Sequence, residues 1–142
     1  AARAIAARAR HRGQISTAVA GKILVVEDSV IMREIIAEAL RAYGVEVIEA
    51  GDGVEALAAL ELHPDVDLVV TDLEMPRVDG FELIRRIRDQ ARVPRLPAVV
   101  ISTRGSDADK LAAIEVGADA YLVKTDFSRE SLWSHIGRFL AS

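Results

Sequence analysis

Apolar residues along the chain alternate between short continuous runs and longer stretches with helical spacing. The runs are rich in Val, Leu and Ile and predict five strands, at residues 22–26, 45–48, 67–71, 98–101 and 120–123. Between and after them, apolar residues recur at three- and four-residue intervals, which predicts five helices whose apolar faces begin at Met32, Val54, Leu83, Leu111 and Leu132. We expect Gly44 to act as the C-cap of the first helix and Gly117 to end the fourth.

The five strand–helix units predict a particular arrangement of the sheet. The first, third and fourth strands are apolar at nearly every position, which is typical of strands buried on both faces. Alternating strands and helices favour a parallel sheet with right-handed crossovers and helices on both sides. The chain has 142 residues, whereas an eight-fold barrel needs roughly 200 or more. We therefore expect an open, doubly wound α/β sheet whose ligands bind at the carboxyl ends of the strands.

Composition excludes several classes of protein. Cysteine is absent, so the chain has neither disulfides nor thiolate metal sites. The longest apolar run is 56–60, far short of the roughly 20 apolar residues that a membrane span needs. The formal net charge of -4 offers no general reason to bind nucleic acid. We expect a cytoplasmic domain that contacts neither membrane nor nucleic acid.

Charge is distributed unevenly between the N-terminal segment and the rest. Residues 1–20 contain four arginines among alanines and no acid, so all 22 acidic residues lie beyond them. We interpret 1–20 as a linker or leader and 21–142 as the folded domain. A transit peptide or a basic arm that contacts a partner are the alternatives for the leader.

Polar residues that follow the predicted strands form a chemically coherent set: Glu27, Asp28, Asp72, Ser102, Thr103 and Lys124. Singly, each has a simple explanation, such as a helix N-cap for Asp28 or a turn for Asp72. Together, three carboxylates at one sheet edge repel each other unless a cation offsets them, and Mg²⁺ binds such groups together with phosphate oxygens. A lysine and a hydroxyl complement a phosphoryl group, and a carboxylate can act as its nucleophile. The set predicts a magnesium-dependent phosphoryl site.

Four segments resemble the receiver domains of two-component response regulators of the CheY type. They are ILVVEDS, VVTDLEMPRVDGFEL, VVIST and GADAYLVK, in that order. The resemblance extends from residue 22 to about residue 140. It implies a flavodoxin-like (βα)5 fold with a parallel five-stranded sheet of order 2-1-3-4-5. It also implies a phosphoacceptor of two-component signalling.

The resemblance also implies roles for the residues at the strand ends. Asp72 would accept a phosphoryl group from the phosphohistidine of a histidine kinase phosphotransfer domain. Asp28 would bind Mg²⁺ directly, Glu27 would bind it through water, and the main-chain carbonyl of Glu74 would be a further ligand. Lys124 would pair with the phosphoryl group.

A conformational switch is implied for two further residues. The Ser102 hydroxyl would move towards the phosphoryl group, and Tyr121 would rotate inward with it. The surface formed by the fourth helix, fifth strand and fifth helix would then bind an output partner. Trp133 lies beside the apolar stripe of the last helix, where we expect a residue at the rim of the core; contact with a partner is the alternative.

Two positions depart from the usual receiver pattern. Thr125 follows Lys124 where the family usually has proline. Because a cis bond before a residue other than proline costs about 2.5–4 kcal/mol, we expect either a strained cis bond or a rearranged loop there. Glu74 places a negative charge near the phosphoryl entrance, which predicts an altered phosphoryl lifetime.

Sub-type and competing functions complete the set of hypotheses. DLEMPRVDGFEL and AYLVKTDFSRESL most resemble receivers fused to chemotaxis-type, CheA-like hybrid histidine kinases. We expect no enzymatic activity beyond catalysis of the domain's own phosphorylation and dephosphorylation. The alternatives are an interaction module that works without phosphorylation, a phosphate sink, and a phosphatase of the haloacid dehalogenase type, whose acid-x-acid motif has the form of Asp72-Leu-Glu74.

Overall fold

The computed structural model describes residues 21–90 and 95–140, which form five strands and five helices in strict alternation. The strands are β1 (Lys22–Val26), β2 (Glu46–Ala50), β3 (Leu68–Thr71), β4 (Ala98–Ser102) and β5 (Ala120–Val123). The helices are α1 (Val30–Arg41), α2 (Gly53–Leu62), α3 (Gly80–Asp89), α4 (Asp107–Val116) and α5 (Arg129–Leu140). The Arg-rich leader, residues 1–20, lies outside the described residues.

The strands form one parallel sheet of order β2-β1-β3-β4-β5, as predicted. The chain passes from β1 to one edge of the sheet at β2, and then returns to the other side of β1 at β3. This reversal of direction opens a crevice at the carboxyl ends of β1 and β3, the place where sheets of this kind bind ligands. β3 and β4 are buried throughout, whereas the edge strand β2 has exposed positions.

Helices cover both faces of the sheet because successive strand residues point to opposite sides. On one face, Ile23 and Val25 pack with Leu40 of α1 and Ile136 of α5. On the other face, α2, α3 and α4 cover two adjoining clusters that include Leu60, Leu83 and Ala113. The carboxyl edge of the sheet is left uncovered between these two layers.

Four helices begin at that edge with a side chain that accepts a backbone N–H three residues on: Ser29, Asp52, Asp79 and Ser106. Such caps satisfy a backbone donor that would otherwise lack a partner in the first turn. At α5, Ser128 and Ser131 bond each other's backbone N–H reciprocally. The sequence therefore specifies where each helix starts, and so how each loop crosses the edge.

Some predicted boundaries were wrong. Gly44 is not the C-cap of α1, because the helix ends at Arg41 with Ala42 as its cap and Gly44 follows in a turn, at φ 86°. β2 occupies Glu46–Ala50 rather than 45–48, because its pairing with β1 runs from Lys22↔Glu46 to Val26↔Ala50. Gly117, in contrast, ends α4 in the left-handed conformation, as expected.

No helix in the described part of the chain is long and apolar enough to cross a membrane.

Candidate functional site

Three carboxylates meet at the carboxyl ends of the two central strands. Glu27 and Asp28 directly follow β1, Asp72 follows β3, and one oxygen from each lies within 4.8 Å of the others. The register places them there, since Val26 pairs with Thr71 and the Asp72 N–H donates to the Val26 carbonyl. Glu27 and Asp72 are buried, and Asp28 is exposed. The cluster is therefore open to solvent on the Asp28 side.

Lys124 compensates the charge of this cluster. Its Nζ lies 2.9 Å from Asp72 Oδ2 and 2.6 Å from Glu27 Oε1. Burial alone would lower the pKa of Lys124, but the two carboxylates hold this pKa above its ordinary value. Burial raises the pKa of Glu27, although the contact with Lys124 opposes that shift. One ammonium thus serves two buried carboxylates, which leaves the cluster with an excess of negative charge.

The donor set fits a hard cation. Glu27 Oε2 accepts the Ser29 N–H, whereas the buried Oε1 accepts no hydrogen bond of good geometry within the described residues, despite its ionic contact with Lys124. A buried oxygen of this kind is costly unless another positive or polar group reaches it. Mg²⁺ takes oxygen ligands and keeps several waters, so three oxygens at an exposed edge suit it. Glu74 follows two residues after Asp72, with its side chain exposed.

Local contacts hold the Asp72 carboxylate in a defined orientation. Oδ1 accepts the Leu73 N–H at 2.7 Å, while Oδ2 faces Lys124. Gly80, the first residue of α3, packs against the same main chain, and a Cβ atom there would lie 2.1 Å from the Asp72 carbonyl oxygen. Only glycine permits this close approach, which keeps the following loop folded over the strand end.

The two hydroxyls after β4 occupy different environments. Ser102 is fully buried and its Oγ accepts the Arg104 N–H at 3.1 Å, whereas Thr103 is exposed. The Tyr121 hydroxyl donates to the Arg104 carbonyl at 2.5 Å. Burial raises the pKa of Tyr121, against the opposing effect of its interaction with Ser102. Ser102 and Tyr121 are thus connected through the main chain of one residue.

Arg104 is a member of this site that the sequence did not suggest. Its guanidinium donates to Asp109 of α4 at 2.7 Å and lies 5.7 Å from the ring centroid of Phe81. An arginine in a polar loop carries no distinguishing signal in sequence, because its partners are set by how the β4–α4 loop folds against α3.

Of the two forms expected for a chain without proline after Lys124, a strained cis bond or a rearranged loop, the β5–α5 loop has no cis bond. No cis peptide bond occurs among the described residues, and Lys124–Asp126 form one turn of 3-10 helix instead. The Phe127 N–H donates to the Lys124 carbonyl at 3.1 Å and closes this turn. The rearranged loop still delivers the Lys124 ammonium to Asp72.

Comparison with known proteins identifies the class. The response regulator receiver domain family matches residues 23–136, and the chain belongs to this family, whose members work in two-component signalling.

Individual relatives include regulators of motility and chemotaxis. The chain is 39% identical over 117 residues to a gliding motility regulatory protein of Myxococcus xanthus, covering 82% of this chain but only 15% of that protein. It is 38% identical over 104 residues to the chemotaxis protein CheY1 of Helicobacter pylori, covering 72% of this chain and 84% of that protein.

Among solved structures, the chain is similar to the receiver domain of a sensor histidine kinase from Pseudomonas aeruginosa, with a TM-score of 0.78 and 28% identity over 87% of this chain and 100% of that one. That structure holds a magnesium ion coordinated in its active-site cleft.

Proposed function

We propose that this domain accepts a phosphoryl group on Asp72 from the phosphohistidine of a histidine kinase, in the presence of Mg²⁺. The observation that carries the proposal is the contact of Lys124 with both Asp72 and Glu27, beside the exposed Asp28. A purely structural role would not require two buried carboxylates to share one lysine beside a third, exposed carboxylate, because buried charges are expensive to desolvate.

In the proposed reaction, an oxygen of the Asp72 carboxylate forms a bond to phosphorus as the phosphorus–nitrogen bond of the phosphohistidine breaks. The histidine nitrogen keeps the bonding electron pair. The Leu73 N–H orients the carboxylate, and the Lys124 ammonium stands ready to pair with an oxygen of the transferred group. Such transfers depend chiefly on positioning and charge neutralisation.

Mg²⁺ would be held by Asp28, Asp72 and the main-chain carbonyl of Glu74, with Glu27 acting through a bound water. When bound, it neutralises the negative charge that the carboxylates and the phosphoryl oxygens share. Glu27 is suited to the indirect role because its side chain is 2% exposed, while Asp28 stands at the solvent-facing side.

The output we propose is a shift between two arrangements of the surface formed by α4, β5 and α5. The Ser102 and Tyr121 hydroxyls both make hydrogen bonds to the main chain of Arg104. A movement of Ser102 towards the phosphoryl group would therefore shift the Arg104 main chain and with it Tyr121. Leu111 and Ile114 of α4 are exposed apolar side chains on this surface. We propose a protein partner there, not nucleic acid or membrane.

The names of two relatives, a gliding motility regulatory protein and a chemotaxis protein, support a proposal about the wider setting. We propose a cytoplasmic role in chemotaxis or motility signalling, within a CheA-like hybrid kinase, with no enzymatic activity beyond self-phosphorylation and dephosphorylation. A domain that only drains phosphate from the kinase would share the same chemistry. An interaction module that works without phosphorylation would not accept a phosphoryl group on Asp72.

Phosphorylation assays test the proposal. The chain is incubated with acetyl phosphate and, separately, with a phosphorylated histidine phosphotransfer domain, and the acyl phosphate is followed by intact mass and by lability to hydroxylamine. We expect Mg²⁺-dependent labelling that Asp72→Asn abolishes and that Asp65→Asn, at the opposite edge of the sheet, preserves. Absence of labelling from both donors would favour the interaction module instead.

A further inference from the structure

The loop that links β3 to α3 lies between two close main-chain contacts. On the α3 side it is held by Gly80, as described above. On the other side the Gly53 N–H donates to the Val78 carbonyl at 3.1 Å, and a Cβ atom on Gly53 would lie 2.3 Å from that same oxygen. Gly80 contacts Leu73 and Gly53 contacts Val78, and Glu74 lies between these two loop residues. The main chain proposed to bind the metal is therefore placed partly by the start of α2.

Within this loop, Arg77 has an unfavourable backbone conformation. Its φ of 68° is the only positive φ among the non-glycine residues of the described segments. L-amino acids with a Cβ atom rarely adopt this region, whereas glycine enters it readily. Glycine would therefore be the residue of choice for the backbone alone, and an arginine here points to a role for its side chain.

The Arg77 side chain contacts a buried carboxylate of the neighbouring loop. Its Nε lies 2.8 Å and its Nη2 2.6 Å from Oδ2 of Asp52. The other oxygen of Asp52 caps α2 by accepting the Glu55 N–H at 2.9 Å. Asp52 is 6% exposed, and both its carboxylate oxygens have partners. One carboxylate thus joins the first turn of α2 to the loop that carries Glu74.

We infer that Arg77 is a positioning residue for the metal: through Asp52 it holds the β3–α3 loop so that the Glu74 carbonyl faces the carboxylate cluster. The inference rests on the proposed function, because it assigns a task to the same site. Residues outside the ligand shell that orient ligands commonly change metal affinity by about 10- to 100-fold when they are removed.

The direction in which Mg²⁺ affinity changes when Arg77 is removed distinguishes a positioning role from a purely electrostatic effect. Arg77 carries a positive charge near a cation site, so its removal should strengthen Mg²⁺ binding if only charge mattered. If Arg77 positions the loop, its removal should weaken Mg²⁺ binding. Arg77→Gly is the sharpest variant, since glycine suits the left-handed backbone and the change removes the side-chain contact without adding backbone strain.

The experiment is a Mg²⁺ titration of the full chain, followed by calorimetry and by the amide resonances of the ¹⁵N-labelled protein. We expect Arg77→Gly to raise the Kd for Mg²⁺ about tenfold. Asp52→Asn should raise it in the same direction, because asparagine still caps α2 but loses the charge that Arg77 pairs with. The double variant should be no weaker than the weaker single one.

Arg85→Ala is the matched control. Arg85 also pairs with an acidic residue, Glu82, but on the exposed face of α3. The Arg85→Ala variant removes one positive charge but leaves the β3–α3 loop unchanged, so its Kd for Mg²⁺ should equal the wild-type value. An unchanged or lower Kd in Arg77→Gly would overturn the inference.

Failure of the inference is distinguishable from failure of the proposed function. If the unaltered chain binds Mg²⁺ and is phosphorylated while Arg77→Gly binds Mg²⁺ equally well, only the positioning role falls. If the unaltered chain neither binds Mg²⁺ nor accepts phosphate, both fall. At saturating Mg²⁺ the labelling of Arg77→Gly by acetyl phosphate should recover, which a damaged phosphoacceptor would not do.

Discussion

The ammonium nitrogen of Lys124 lies 2.9 Å from Oδ2 of Asp72, although the two residues are 52 positions apart in the chain. Their strands are not neighbours, because β4 lies between β3 and β5. The lysine therefore crosses the end of β4 to reach the carboxylate. At the same point it contacts Glu27, so its charge is shared between β1 and β3.

Removal of the lysine charge should destabilise the domain. Lys124→Met leaves the carboxylates of Glu27 and Asp72 buried without their cation, and we expect a loss of about 2–3 kcal/mol in the free energy of unfolding without Mg²⁺. Urea denaturation measures it, with Lys110→Met on α4 as the control. Adding Glu27→Gln to Lys124→Met should restore part of the loss. Equal midpoints for Lys124→Met and wild type would contradict the charge compensation described for this site.

Acid should weaken the domain partly through Asp52. The Glu55 N–H, and then Arg77, lower the pKa of Asp52 despite its burial. A carboxyl group whose pKa is lower in the folded chain stabilises it above the unfolded pKa of about 3.9, and this contribution disappears as the pH falls through the folded value. Urea midpoints between pH 5.5 and pH 2.5 should therefore fall less steeply for Asp52→Asn than for wild type. Parallel curves would refute the role of Asp52.

The Glu74 side chain should influence the phosphoryl group from the entrance of the site. A unit charge some 7 Å from an anionic donor in water contributes about 0.6 kcal/mol, or about threefold in rate. We expect acetyl phosphate to label Glu74→Ala about threefold faster at low salt, and this advantage should shrink at high salt. The dephosphorylation rate should also change, since we expect this exposed side chain to lie near the phosphoryl entrance. Identical phosphoryl lifetimes in wild type and Glu74→Ala would show that the Glu74 side chain has no part in the reaction.

The start of α1 should matter to a protein donor but not to a small one. Val30, Ile31 and Ile35 are exposed apolar side chains of α1, which begins two residues after Asp28. We expect a phosphohistidine domain that reaches Asp72 to approach over this surface. We expect Ile31→Glu to slow transfer from such a domain about tenfold, the effect of losing a well-placed apolar contact, and to leave labelling by acetyl phosphate unchanged.

Leu62→Glu provides the comparison for that variant. Leu62 is as exposed as Ile31, at 78% against 76%, but lies at the end of α2. It should not alter transfer from either donor. Equal slowing by both variants would indicate a general effect of added charge instead of a docking surface on α1.

Most of the fold could be predicted because its signals are local. The apolar runs located every strand, and helical spacing located every helix, since burial on a sheet face or helix face recurs with a fixed period. The errors lie at boundaries. The first helix ends at Arg41, before Gly44, and pairing with β1 decided which residues belong to β2. Asp52 caps α2 and pairs with Arg77, a contact between two loops that no periodic pattern predicts.

The sequence by itself determined the order of strands and helices, and it placed acidic, hydroxyl and ammonium groups after the strands. That followed from periodicity and from the rule that parallel strands end at one edge. Only the tertiary structure decided which groups touch: that Lys124 serves two carboxylates, that Ser102 is buried while Thr103 is exposed, and that Arg77 reaches Asp52. These contacts join residues from different loops, and their distances depend on how the loops pack, which no local pattern records.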